Sequence, residues 1–199
     1  AATILAFRLA AAFGARESDS NEAAFARLGT ATGKYWICKR APAAVHEAME
    51  CLGGNGYVEE HVLARLYRQA PLNSIWEGSG NVICLDVLRG MAREPESLEC
   101  VRAELMAARG QDARYDTFIQ SLSTRLTDSD HMELRARRLV EDLALALQAS
   151  LLLRHSSNEV SSAFVESRLT GQRRGSFGTL STGIDRTLLL ERADPGCIA

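Results

Sequence analysis

The chain has 199 residues, of which 46% are hydrophobic and 6% aromatic, and its formal net charge is −2. This length is enough for one domain, or for two small ones with a real core. Ala and Leu dominate and β-branched residues are sparse, which favours helix over sheet. No apolar run reaches the ~18 residues that span a bilayer, so we expect no membrane segment.

The five cysteines are dispersed and include no CxxC pair. This pattern is typical of a reducing compartment and argues against a disulfide framework or a zinc site. The four histidines are equally scattered. We therefore predict a cytoplasmic protein without a metal site. The first residues lack an initiator Met and a basic signal sequence, so we expect the chain to begin within a helix of a longer protein.

The first 50 residues predict two helices separated by a polar link. One covers residues 1–13, and a longer one runs to about Cys51, with Ser20 or Asn21 as its N-cap. Pro42 lies inside the longer helix. Because proline removes a backbone donor and clashes with the preceding turn, we expect it to kink the helix or break it in two.

The rest of the chain also predicts helices. The stretch 55–80 is irregular except for a short helix around 62–69. Pro95 marks a boundary, since it stops one helix and suits the first turn of another. The further helices are predicted at about 81–93, 96–109, 112–126, 130–154 and 158–170, and a short last helix contains Leu188, Leu189 and Leu190. The predicted fold is all-α, with one helical domain at 1–95 and an additional helical domain at 96–199.

Two glycine clusters are candidate ligand sites. The first includes Gly53 and Gly54 at the end of the long helix. It is either a tight turn or a place where backbone approaches a ligand that any Cβ would block. The second includes Gly78 and Gly80 at the start of a helix. It is either a plain N-cap or a seat for a phosphate, which the free N–H groups and the helix dipole attract.

Glu77 stands directly before the second cluster and next to Trp76. A carboxylate in such a position is usually a solvated loop acid. In an apolar cleft, however, desolvation raises the pKa of a carboxylate toward the range that suits a general base. Composition does not decide between these two interpretations.

Three segments in order, 49–57, 65–70 and 75–81, resemble the C-terminal helical domain of the acyl-CoA dehydrogenase family. That family has a QxxGGxGY element, then RxxRDA, then a YEGTxxxQ-like element. The resemblance implies an FAD-containing flavoprotein that is a dimer or tetramer and takes an acyl-CoA. Since the flavin-ring and most acyl-chain contacts belong to other domains of that family, we expect this chain alone to be inactive.

Position by position, the resemblance implies that Glu77 is the catalytic base, which removes the α-proton of an acyl-CoA thioester. It places FAD contacts in two groups. The first reaches the FAD of a neighbouring subunit, and the second flanks or follows Glu77; together they are Glu50, Cys51, Leu52, Gly53, Gly54, Ile75, Trp76, Gly78, Ser79, Gly80 and Asn81.

The sequence departs from the family pattern at three positions. Glu50 replaces the usual Gln, Gln69 replaces an acid, and Trp76 replaces Tyr. A carboxylate at position 50 would repel a pyrophosphate, so we expect its contact with the cofactor to be altered.

A narrower resemblance, which extends beyond residue 93, is to the AidB group of flavoproteins induced by DNA alkylation. Segments 37–40, 47–54, 65–68, 73–81 and 84–89 carry it. In that group the extra C-terminal helices bind double-stranded DNA. The resemblance places DNA contacts at Arg89 and at Arg173 or Arg174 of a Gly-rich loop, and arginine on such a loop suits phosphate.

Three functional hypotheses follow. The first is a DNA-associated flavoprotein of the alkylation response with weak or residual dehydrogenase activity. The second is an ordinary metabolic acyl-CoA dehydrogenase with an extended tail. The third is that the isolated chain is an inert helical scaffold. The tail and segment 73–81 favour the first.

Overall fold

A computed structural model describes residues 1–171, 175–194 and 196. The regular structure of these residues is helical, with no strand, which confirms the all-α prediction. None of the described helices is both long and apolar enough to cross a membrane. In chain order the helices are α1 (Ala2–Ala15), α2 (Ser20–Cys51), α3 (Gly54–Tyr57), α4 (Val62–Gln69), a 3-10 helix (Ala70–Ser74), α5 (Gly80–Arg93), α6 (Pro95–Met106), α7 (Ala113–Thr127), α8 (Met132–His155), α9 (Asn158–Leu169) and α10 (Arg186–Ala193).

Helix α2 differs from the prediction at its start, and it does not break at Pro42. Asp19 is the N-cap, and its carboxylate accepts the backbone N–H groups of Asn21 and Glu22 at 2.8 and 3.4 Å, while Ser20 is already helical. The helix also continues unbroken through Pro42. The local cost of a proline inside a helix is about 3 kcal/mol, and packing of α2 against α1, α5, α6 and α8 offsets it.

Helix α8 lies at the centre of the core. It packs against α1, α2, α5, α6, α7 and α9. Four leucines at a spacing of four residues along α8 all face inward and are at most 2% exposed: Leu139, Leu143, Leu147 and Leu151. One hydrophobic cluster runs from α1 to α9. The division into 1–95 and 96–199 stays a prediction, and the described core is continuous across it.

An ionic network also joins the two parts of the chain. Arg8 of α1 donates to Glu22 of α2 at 2.6 Å and to Glu104 of α6 at 3.0 Å. Arg154 of α8 donates to the same Glu104. Because these side chains are largely buried, loss of one partner would leave another charge uncompensated. The network therefore fixes α6 and α8 on the α1–α2 pair.

The N-cap of α7 gives a prediction for stability. Asp112 accepts the backbone N–H groups of Arg114 and Tyr115 and the guanidinium of Arg114, at 2.6 to 3.3 Å. The side-chain bond from Arg114, reinforced by the backbone bonds, lowers the pKa of Asp112. We expect Asp112→Ala to reduce the free energy of unfolding at pH 7 by about 1 kcal/mol, measured by urea unfolding.

The lowered pKa of Asp112 also determines how the stability difference between wild type and Asp112→Ala depends on pH. A carboxyl with a lowered folded-state pKa stabilises the fold above its unfolded pKa of about 3.9, and the effect is lost as pH falls through the folded value. The gap between wild type and Asp112→Ala should therefore narrow in acid. Asp112→Asn is the control, since it keeps the cap and removes the titration. A gap between wild type and Asp112→Ala that does not narrow as pH falls would contradict this account.

Candidate functional site

The start of α5 presents a set of backbone donors. Ser79 is its N-cap residue, and no side chain caps the helix. Gly80, the first helical residue, lies against the ring of Tyr35: an added Cβ would be 3.4 Å from Cε2. Ser79 and Asn81 are exposed. Uncapped N–H groups at the positive end of a helix dipole form a suitable seat for an anionic group.

The turn before α5 has an unusual backbone that is held from another helix. Glu77 and Gly78 have φ values of +53° and +104°, and the first is costly for a non-glycine residue. Lys34 of α2 donates from Nζ to the carbonyl oxygens of Trp76 and Gly78, at 2.8 and 2.6 Å. These two bonds bracket Glu77, so Lys34 fixes the backbone that presents its carboxylate. Glu77 itself is exposed.

Lys34 was missed by the sequence reasoning, and a substitution tests its role. If Glu77 is the base that the resemblance implies, Lys34→Met in the full-length protein should lower the rate of acyl-CoA-driven flavin reduction by about 10- to 100-fold, because a displacement near 1 Å costs up to about this much. Lys39→Met on the same helix is the matched control, since Lys39 is exposed. Equal rates for both variants would show that Lys34 does not position Glu77.

Arg137 is a second side chain that the sequence did not assign to this site. It lies on α8, exposed, and its Nε donates to Oδ1 of Asn81 at 3.2 Å. An arginine within a long helix is, from sequence alone, ordinarily part of a solvated helix face. The structure instead brings a cation from the region after residue 95 to the donor-rich start of α5. The local charge thus adds to the attraction for an anion.

The other glycine cluster lies at the far end of α2. Gly53, with φ +58°, precedes α3, and Gly54 starts it. An added Cβ at either position would meet no atom within 4 Å. Beside them is an open cleft of about 560 Å³, lined by His46, Met49, Glu50, Gly53, Gly54, Tyr57 and Tyr67. The turn therefore leaves room for a ligand.

Exposed carboxylate and apolar groups surround this cleft. Glu50 is 64% exposed, and its Oε2 lies 3.7 Å from Nδ1 of His46. Cys51 and Leu52 are exposed at the helix end. The His46–Glu50 pair places an imidazole beside the Glu50 carboxylate, which we expected to repel a pyrophosphate.

The two glycine clusters do not meet within one chain. Lys34 holds the Glu77 turn near the middle of α2, whereas Gly53 follows the end of that helix. A rise of 1.5 Å per residue separates the positions by roughly 25 Å along the helix. Directly before Glu77 in the sequence, Ile75 and Trp76 are 61% and 57% exposed.

The predicted DNA contacts are only partly described. Arg89 is an exposed residue of α5 and makes no ion pair with any residue in the described ranges. It is therefore available to an external anion. Arg173 and Arg174 lie outside the described residues.

These features fit FAD at the start of α5. The cofactor carries a pyrophosphate, for which uncapped N–H groups and Arg137 are suitable partners. Close packing of Gly78, where an added Cβ would be 3.0 Å from Ile83, keeps the turn compact. The residues of this segment that would hold the cofactor are Ile75, Trp76, Gly78, Ser79, Gly80 and Asn81.

Comparison with known proteins identifies the class. Residues 1–92 match the family described as "Acyl-CoA dehydrogenase, C-terminal domain". The chain belongs to the acyl-CoA dehydrogenase family. It is similar to AidB of Escherichia coli (strain K12), with 39% identity over 196 residues that cover 98% of this chain and 35% of AidB.

Two further comparisons are with proteins of the nematode Caenorhabditis elegans. Acyl-CoA dehydrogenase family member 11 of Caenorhabditis elegans is 29% identical over 185 residues, which cover 93% of this chain and 27% of that protein. The crystal structure of Caenorhabditis elegans ACDH-11 in complex with C11-CoA superposes with a TM-score of 0.66 and 28% identity, over 83% of this chain and 32% of that one. The chain thus spans about a third, or less, of each of these relatives.

Proposed function

We propose that this chain is the C-terminal part of an FAD-containing, AidB-like protein of the DNA alkylation response. The whole protein binds double-stranded DNA without marked sequence preference and has weak or residual dehydrogenase activity. The observation that carries the proposal is the similarity to AidB over 98% of the chain, since it continues through the helices that follow the acyl-CoA dehydrogenase match at 1–92.

Within this proposal, the start of α5 and the turn before it hold the FAD and the acyl-CoA. FAD supplies a hydride acceptor when it is bound. Glu77 accepts the α-proton of the thioester, and Lys34 keeps the turn around Glu77 in place through its two carbonyl contacts. Arg137 supports the anionic part of the cofactor from α8.

The proposal includes a homo-oligomer, either a dimer or a tetramer. The separation of roughly 25 Å along α2 between the two glycine clusters supports a contact of Gly53 and Gly54 with the FAD of a neighbouring subunit instead of the FAD held by their own chain. Glu50, Cys51 and Leu52 extend the same surface. Exposed apolar side chains nearby, such as Tyr57, which is 76% exposed, are consistent with a covered interface.

Arg89 gives a direct test of the DNA contact. In the full-length protein, we expect Arg89→Gln to weaken duplex binding uniformly across sequences and to reduce the salt slope by about 1. Fluorescence anisotropy with two unrelated duplexes measures both. Arg68→Gln is the control, because both terminal nitrogens of Arg68 already donate to the Glu59 carboxylate. An unchanged slope for Arg89→Gln would remove this residue from the interface.

A metabolic acyl-CoA dehydrogenase is the second candidate. The similarity to a nematode structure in complex with C11-CoA favours it. Rapid flavin bleaching by an acyl-CoA, together with absence of duplex binding at low salt, would support this candidate over the first.

A further inference from the structure

A small cleft lies between the end of α9 and the loop at 175–180. Its volume is about 170 Å³, several times the ~30 Å³ that one water occupies in the liquid. A phosphate-sized group therefore has room. Among the described residues, the lining consists of one cation, hydroxyl groups, an aromatic ring and small or apolar residues: Ser167, Arg168, Ser176, Phe177, Gly178, Thr179 and Leu180.

Arg168 is the cation of this cleft, and its charge has no carboxylate partner in the described part of the chain. It is half-buried in the last turn of α9. Burial, and then the nearby charge of Arg40, lower the pKa of its guanidinium. The carbonyl end of a helix offsets a fraction of this cost, yet a desolvated charge normally requires a direct partner.

Arg40 of α2 is also half-buried and also has no carboxylate partner among the described residues. Its guanidinium lies over the rings of Trp36 and Phe177, at 5.8 and 5.2 Å from the centroids. Phe177 also lines the cleft, so this ring joins the two arginines. Stacking uses the faces of a guanidinium and leaves its N–H edge for hydrogen bonds. The Arg40 guanidinium makes no hydrogen bond or ion pair with another described residue.

The two arginines differ from their counterparts elsewhere. Over 1–171, 175–194 and 196, every other half-buried arginine contacts a carboxylate; the set is Arg8, Arg27, Arg102, Arg114, Arg125, Arg135 and Arg154. Arg40 and Arg168 are the exceptions, and they interact with each other unfavourably. Two neighbouring cations without an acid are the arrangement expected of an anion site.

We propose that Arg40 and Arg168 form a binding site for a phosphate group, with the Ser176 hydroxyl as an added donor. Phosphate accepts the paired N–H groups of a guanidinium, and its charge relieves the repulsion between the two cations. The phosphate belongs either to a duplex DNA backbone or to a free phosphate compound. Only the DNA source rests on the proposed function.

Titration of the full-length protein with inorganic phosphate, at constant ionic strength, tests the site. Calorimetry of wild type, Arg40→Gln and Arg168→Gln should show affinity falling by about tenfold or more in each variant, because a charged hydrogen bond contributes 1.5–3 kcal/mol. Arg16→Gln is the matched control: Arg16 is exposed and stacks on Phe13 at 5.0 Å, as Arg40 stacks on Phe177. Circular dichroism confirms that each variant is folded.

Equal phosphate affinity in wild type, Arg40→Gln and Arg168→Gln, or an equal loss in Arg16→Gln, would overturn the proposal. A second arm identifies the source of the phosphate. If duplex affinity falls in the same two variants and free phosphate competes with DNA, the occupant is a backbone phosphodiester. If phosphate affinity falls while duplex affinity is unchanged, the site stands and takes a free phosphate compound, and the DNA proposal is judged separately by Arg89→Gln.

Discussion

Replacing Glu77 by Gln is expected to lower the rate of α-proton abstraction from an acyl-CoA by about 10²- to 10⁴-fold, while FAD stays bound. The amide keeps the shape of the side chain and removes the base. The backbone should not move, since Lys34 holds the carbonyl groups on either side of position 77. Anaerobic bleaching of the flavin by isovaleryl-CoA, in the full-length protein, gives the rate.

Glu60→Gln is the control for this measurement, because Glu60 is an exposed acid outside the candidate site. It should bleach at the wild-type rate. The flavin absorbance of Glu77→Gln before addition of substrate reports bound FAD. Bleaching of Glu77→Gln at the wild-type rate would show that another group is the base.

The second large effect is expected at Gly56, which is buried where α3 turns back onto the end of α2. An added Cβ would lie 2.5 Å from the carbonyl oxygen and 2.8 Å from the Cα of Met49. Both atoms belong to the backbone, so no side-chain rotation relieves the clash. We expect Gly56→Ala to lower the free energy of unfolding by about 1–3 kcal/mol, as overpacking typically does.

Gly54→Ala is the matched control, two residues away in the same short helix. Its Cβ would meet no atom within 4 Å, so stability should change little. Urea unfolding compares the two variants, and flavin content tests whether displacement of α3 also disturbs the proposed FAD contact at Gly53. Similar stabilities for Gly54→Ala and Gly56→Ala would contradict the close approach of α3 to α2.

Much of the fold could be predicted because its signals are local. The glycines that end α2 and Pro95 at the start of α6 act within one turn of the helix they bound. Predictions from local signals were less successful where contacts with other helices decide the outcome. Pro42 predicted a kink or a break from its own ring, but α2 does not break there, and it packs against several other helices.

The site was predictable only in part. Segments 75–81 and 50–54 stand out by their glycines and by resemblance, since each is short and continuous. Lys34 and Arg137 carry no such signal, because each meets its partner across more than forty residues of sequence. The role proposed for Arg168 was not predictable from sequence either. An arginine near a helix end is ordinary, and only the structure shows that no described acid lies beside it.

Whether the full-length protein binds duplex DNA electrostatically is the central question. The most direct measurement is the affinity for a duplex of unrelated sequence as salt is raised from about 50 to 200 mM. The account predicts binding at low salt that weakens steeply with salt, and a further loss on charge reversal at Arg173 and Arg174. Absence of binding below about 100 mM salt, with rapid bleaching of the flavin by isovaleryl-CoA, would contradict it.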